Sequence, residues 1–322
     1  MKIKANRIDI TLEDSAKGRG DAALALPCVL LIMGLGMQLT AWPPELVRGL
    51  VDAGYRVVRF DNRDIGLSQH FDHLGVPNLL WQGIKYRLNL PIKPPYSLSD
   101  MARDALGVLD ALQIDKAHVV GVSMGGMIAQ RVALLAPDRA LSLTSIMSSS
   151  GARNLPAAAP HVTRAMLSRP KGQSLEAVVA HSVKLFQTIG SPGRPGHGLT
   201  PLESDLRQRV TVAMQRNYHP AGISRQMVAL VADGERADAL AGVTSPTLVL
   251  HGRADPLVPF ACGEDTARRI PGAKLVGIDG MGHDLPAAAV TQILPHLTAH
   301  FAAAAPLHQP TDTQATQATQ AT

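Results

Sequence analysis

Residues 117–137 admit few folds. Ala117 to Val120 is a short apolar run that predicts a buried strand, and Met127 to Ala136 predicts a buried helix stopped by Pro137. Between them lies Gly121-Val-Ser123-Met-Gly125-Gly126. A strand that enters a helix through Gly-x-Ser-x-Gly is a nucleophile elbow. The turn strains the serine backbone, and side chains at 121 and 125 would collide with the neighbouring strand and helix. The Ser123 hydroxyl is then held above the sheet, with the Met124 amide at a helix N-terminus that favours negative charge.

The rest of the chain supplies strands and helices in alternation. Cys28 to Met33, Tyr55 to Phe60, Leu141 to Met147, Thr247 to His251 and Ala273 to Ile278 are apolar runs of strand length. Helices are expected from Trp42 to Val51, from Ser97 (a cap, with Asp100 three residues on) to Leu112, over 260–270 and over 287–304. Residues 2–12 alternate weakly and suggest one edge strand; 69–96 read as irregular. From Ser148 to about Leu240 the pattern becomes all-helical, with pieces near 160–168, 174–189, 203–217 and 222–233, and with a turn signal over 191–198. The expected organisation is an α/β core in two parts, 1–147 and 241–304, with a helical cap or lid inserted over 148–240. The sheet is mostly parallel with helices on both faces. A low-complexity Gln-Ala-Thr tail over 305–322 is expected to be disordered.

A serine needs a base, and the base needs an orienting acid. Asp255 follows the strand at 247–251, and His283 follows the strand at 273–278. Loops after parallel strands share the carboxyl edge, where the elbow also opens. The order Ser, Asp, His is the one this architecture uses. Asp284 is expected to point away from the histidine. The Met124 N–H is one expected oxyanion donor. The other is the Leu35 N–H, on a loop that Gly34 and Gly36 allow close to the substrate.

Other chemistries are weaker. Gly34-x-Gly36 lacks the third dinucleotide-binding glycine, because position 39 is leucine. His70-Phe-Asp-His73 has no partner motif for a metal, so no metal is expected. The net charge is +5 without a basic block, and aromatics are 3%, which argues against a nucleic-acid partner. No apolar run is long enough to span a membrane, and the N-terminal residues lack a secretory apolar core. Cys28 and Cys262 are expected to be reduced and structural, and the chain cytoplasmic.

Met33-Gly-Leu-Gly-Met37, Phe60-Asp-Asn-Arg-Asp-Ile-Gly-Leu-Ser68, Gly121-Val-Ser-Met-Gly125, His251-Gly-Arg-Ala-Asp255 and Gly280-Met-Gly-His283 together resemble the α/β-hydrolase superfamily. Within it they resemble the bacterial esterase branch that includes aclacinomycin methylesterase. The resemblance spans about residues 30 to 300 and implies an esterase with Ser123 as nucleophile, His283 as base, Asp255 as orienting acid, and Leu35 and Met124 as oxyanion donors. It implies no cofactor. Asp61 and Arg63 match a loop whose expected role is structural. The expected partner is a small apolar ester, with Met37, Trp42, Trp81, Met124 and Met147 as candidate pocket residues. Perhydrolase, C–C hydrolase or acyltransferase chemistry with the same triad stays open, as does a non-catalytic receptor on this fold.

Overall fold

The computed structural model describes residues 1–194, 196 and 198–305. The chain forms β1 (Lys2–Ala5), β2 (Ile8–Asp14), α1 (Asp21–Leu24), β3 (Cys28–Ile32), α2 (Pro44–Asp52), β4 (Arg56–Phe60) and α3 (Leu79–Arg87). It continues through α4 (Leu98–Ala111), β5 (Ala117–Val122), α5 (Met124–Leu135) and β6 (Ala140–Ile146). Four helices and a short one follow: α6 (Pro160–Leu167), α7 (Leu175–Ile189), α8 (Glu203–Arg216), α9 (Pro220–Val231) and α10 (Arg236–Ala239). The last elements are β7 (Thr247–Gly252), α11 (Phe260–Arg269), β8 (Lys274–Ile278) and α12 (Ala287–Ala304).

The eight strands form one sheet in the order β1-β2-β4-β3-β5-β6-β7-β8. β1–β2 and β2–β4 pair antiparallel, and every pair from β4 to β8 is parallel. β3 explains why such strands read as continuous apolar runs. Leu30 and Ile32 face the layer that holds Met101 and Ala105 of α4 and Ile128 and Val132 of α5. Val29 and Leu31 face the opposite layer, with Leu46 and Leu50 of α2 and Ile293, Leu297 and Phe301 of α12. A strand covered on both sides has no polar face to alternate with.

Ser97 caps α4 as expected. Its Oγ accepts the Asp100 N–H at 3.1 Å, and the Asp100 carboxylate accepts the Ser97 N–H at 2.9 Å. Two expectations are corrected. Residues 2–12 are a hairpin and not one strand, because Asn6 and Arg7 take φ of 47° and 67° and turn the chain between β1 and β2. Within 69–96 lies α3, capped by Asn78, whose Oδ1 accepts the Trp81 N–H at 3.0 Å. It escapes a periodicity search because no side chain in it is buried, so its apolar residues mark no inward stripe. From residue 306 onward the expected tail lies outside the described residues, as do Pro195 and His197 of the 191–198 turn.

Candidate active site

The site sits at the carboxyl edge of β3, β5, β7 and β8. Ser123 closes β5 and precedes α5, with φ 55° and ψ −122°, a conformation a non-glycine residue holds only when its surroundings impose it. The surroundings do so. The Ser123 N–H donates to Ile146 O at 2.9 Å, and its carbonyl accepts from Ser148 Oγ at 2.7 Å. A Cβ at Gly121 would lie 2.0 Å from Gly125 O, and one at Gly125 would lie 2.0 Å from Ile32 O. Only glycine fits at either position, as the sequence pattern required.

His283 Nε2 lies 3.0 Å from Ser123 Oγ, and its Nδ1 lies 2.7 Å from Asp255 Oδ2. The other Asp255 oxygen accepts the N–H groups of Leu257 and Val258 at 2.9 and 2.8 Å. That fixes the carboxylate and leaves one oxygen for the imidazole. With Nδ1 donating to the carboxylate, the neutral ring presents a bare Nε2 to the serine hydroxyl, the geometry a general base requires. Three residues distant in sequence thus form one continuous hydrogen-bonded chain.

Asp284 does not join it. Its carboxylate accepts the backbone N–H and the hydroxyl of Ser191 at 3.0 and 2.6 Å, and burial pushes its pKa up against those hydrogen bonds. Ser191 Oγ also accepts the Gly282 N–H at 3.0 Å, and the His283 N–H donates to Ile189 O at 2.8 Å. The histidine loop is therefore tied to the segment after α7. Nothing in the sequence singles out Ser191 for that role.

Leu35 lies on the loop after β3, and Met124 is the first residue of α5. Among the described residues, neither backbone N–H donates to a protein acceptor. Gly34 brings the β3 loop against the elbow, since a Cβ there would lie 3.2 Å from the Ser123 Cβ. The loop is held from two sides by residues the sequence did not flag. Asn62 Nδ2 donates to Met33 O at 2.9 Å. Gln226 Oε1 accepts the Gly36 N–H at 3.0 Å, while its Nε2 donates to Arg63 O at 2.9 Å.

The 61–72 loop is a structural hub. Asp61 accepts the N–H groups of Leu39 and Leu67 at 2.8 and 2.9 Å, and Arg63 makes a double contact with Asp104 at 2.6 and 2.7 Å. Asp64, at φ 70°, pairs bidentately with Arg225 of α9 at 2.8 and 2.7 Å, both side chains fully buried. Burial raises the Asp64 pKa, but the hydrogen bonds from Arg225 and the Phe71 N–H outweigh it and leave the carboxyl below its ordinary value.

His73 stays apart from His70, which instead stacks on His219 with centroids 3.8 Å apart and planes 5° from parallel. Donor atoms of His70, Asp72 and His219 lie within 4.8 Å of one another. Parallel stacked rings cannot both aim a lone pair at one ion. His219 is instead engaged with Asp64 O and Asp72 at 2.9 and 2.8 Å, and Arg225 also holds Asp72. The cluster joins α9 to the core and does not suit a metal. Cys28 and Cys262 are free and buried, and burial pushes the thiols up to about 12 and about 11, so neither offers a thiolate near neutrality.

The pocket candidates separate. Trp42 is completely buried against α2 and α12, and Met147 is closed in the same layer, so both are packing residues. Trp81 stands half-exposed on α3. Met37 is part-exposed on the β3 loop, and Met124 is buried at the start of α5. Recesses of about 260 and 90 Å³ lie against β2 and between β8 and α12, where no catalytic constellation converges.

A family described as the alpha/beta hydrolase fold matches residues 27–286. The chain belongs to the α/β-hydrolases. It is 31% identical over 310 residues to the rhodomycin D methylesterases DauP, from a Streptomyces species, and DnrP, from Streptomyces peucetius. Each alignment covers 90% of this chain and 95% of the relative. That agrees with the methylesterase-like branch the motifs resemble. A putative carbamate hydrolase, RutD of Pantoea ananatis, is 27% identical over 79% of this chain and 81% of its own. The α/β-hydrolase fold recurs in a meta-cleavage product hydrolase from Pseudomonas fluorescens IP01, with a TM-score of 0.70, 19% identity, and coverage of 94% of this chain and 98% of that one. Among the described residues, no helix of this α/β-hydrolase is long and apolar enough to cross a membrane.

Proposed function

We propose that this α/β-hydrolase cleaves carboxylic esters, methyl esters foremost, through an acyl-enzyme on Ser123. The observation that carries the reading is the chain from Ser123 Oγ to His283 Nε2 at 3.0 Å and from His283 Nδ1 to Asp255 Oδ2 at 2.7 Å. Similarity to two methylesterases over nine-tenths of the chain supports the choice of ester.

In this mechanism Ser123 Oγ attacks the ester carbonyl carbon as His283 Nε2 takes the hydroxyl proton. The carbonyl oxygen becomes an oxyanion that receives the Leu35 and Met124 N–H groups. Collapse breaks the bond to the alkoxy oxygen. The imidazolium returns its proton to that oxygen, and the alcohol leaves. A water, deprotonated by the same nitrogen, then attacks the acyl carbon and frees the acid and the serine. Asp255 stabilises the transient imidazolium and fixes its tautomer. No step calls for a metal or organic cofactor. Residues 148–240 act as a cap over this edge, and the expected substrate is small and apolar.

The test is mass spectrometry after treatment with a fluorophosphonate, followed by kinetics on methyl esters. Adduct on the Ser123 peptide in the wild type, lost in His283→Ala, is the expected result. Labelling elsewhere, or undiminished labelling in His283→Ala, rejects the reading.

A further inference from the structure

Helix α3 is built inside out. Its most covered residues are the polar Gln82 and Lys85, whereas Leu79, Ile84 and Tyr86 keep about 40% of their surface exposed and Leu80 and Trp81 keep more. Leu80 is 77% exposed and Trp81 50%. Val76 before the helix and Leu88 after it extend the same surface at 68% and 63% exposure. A nine-residue helix that buries no side chain draws little stability from packing, and seven exposed large apolar side chains between positions 76 and 88 mark an interaction site.

Charge on this surface selects the partner. From His73 to Ser99 the chain contains no acidic residue, while Lys85, Arg87 and Lys93 are cationic. Arg153, from the loop after β6, adds a fourth cation. It is exposed, lies 5.6 Å from the Tyr86 ring centre and hydrogen-bonds Asn89. The Lys85 ammonium lies 5.9 Å from the centre of the Trp81 ring. Exposed leucines, an indole and a phenol flanked by cations without anions are the composition of a segment lying in a lipid headgroup layer. A second copy fits less well, because a two-fold contact through this face would set Lys85, Arg87, Lys93 and Arg153, which form no ion pair among the described residues, against their own copies.

We propose that the face formed by residues 76–93 docks on an anionic lipid bilayer, with Leu80, Trp81 and Leu88 in the interfacial layer and Lys85, Arg87, Lys93 and Arg153 on the headgroups. Docking is independent of the chemistry at Ser123.

The protein carries its own reporter. Of its two tryptophans, Trp42 is fully buried and Trp81 is exposed, so a change in emission on adding lipid belongs to Trp81. The full chain would be sedimented with phosphatidylcholine vesicles and with vesicles in which about a third of the lipid is phosphatidylglycerol. The expected result is binding to the anionic vesicles with a blue shift. Lys85→Gln/Arg87→Gln should weaken partitioning by at least about tenfold, since each surface cation contributes roughly a fivefold factor. Leu80→Asp/Leu88→Asp should abolish it, with hydrolysis of a water-soluble ester and thermal melting both unchanged. Absence of binding to anionic vesicles overturns the proposal. In that case a concentration-dependent dimer in sedimentation velocity, lost in Leu80→Asp, assigns the face to a second copy. Equal binding to neutral and anionic vesicles, insensitive to the charge variants, overturns it as well.

Discussion

Gln226 Oε1 accepts the Gly36 N–H at 3.0 Å across 190 positions of sequence, and so couples helix α9 to the loop that carries Leu35. Gln226 is fully buried, and its amide nitrogen is used on Arg63 O. Replacing it by leucine strands an amide donor and a carbonyl, at a cost of about 1–3 kcal/mol for each buried group left unpaired. The Leu35–Gly36 peptide then loses its fixed orientation. Gln226→Leu should lower kcat on a methyl ester about tenfold with KM within about threefold, because an oxyanion donor acts mainly in the transition state. Steady-state kinetics beside a thermal melt separate this from general unfolding. An unchanged kcat would show that Gln226 does not position the loop.

Asp255 presents one oxygen to His283 and the other to the Leu257 and Val258 N–H groups. Asp255→Asn keeps the shape and removes the charge, leaving an amide that favours the wrong imidazole tautomer. We expect kcat to fall by roughly 10³–10⁴ with the fold retained, the scale seen when the orienting carboxylate of such a triad is neutralised. Asp284→Asn should cost far less in kcat, because Asp284 hydrogen-bonds Ser191 and not the histidine. Equal losses in the two variants would overturn the assignment of Asp255 as the acid.

Arg225 and Asp64 are both inaccessible to solvent and paired bidentately. Arg225→Met leaves a buried carboxylate facing an apolar chain and should destabilise the fold by about 3–5 kcal/mol. Adding Asp64→Asn removes the stranded charge and should recover part of that loss. Denaturant melts of the two single variants and the double variant measure the coupling. Strictly additive losses would show that the pair is not coupled.

His118 is packed against Phe301, with ring centres 4.6 Å apart, and against the edge of Tyr55. Burial, helped by His300, pulls its pKa down to about 4. The unfolded chain takes up this proton near pH 6.5, so between about 6.5 and 4 the unfolded state binds more protons and folding weakens as pH falls. The full contribution is about 3 kcal/mol, present above pH 6.5 and lost toward pH 4. His251 and His300 are also lowered by burial and add to the same slope. His118→Leu should flatten the acid limb of a plot of melting temperature against pH. An unaltered slope would exclude His118 as a contributor.

What the sequence alone determined was local in origin. A strand, a glycine-flanked serine and a helix are adjacent in the chain, so Gly121 to Gly126 carried both the turn and its steric requirement. Parallel strands put the loops after them on one edge, so the positions of Asp255 and His283 after their strands were enough to bring them toward Ser123. The ladder of strands and helices was legible because buried runs and capped helices such as α4 are short-range patterns. Tertiary structure decided the rest. Nothing near position 226 in the chain records that its amide reaches Gly36, and nothing near position 284 records that its carboxylate is held by Ser191. Trp42 and Trp81 look equally suited to a pocket, yet one is packed under the sheet and the other faces solvent. The outward apolar face of α3 was hidden for a related reason. Periodicity reports which residues share a side, and only the neighbouring elements determine whether that side is turned in or out.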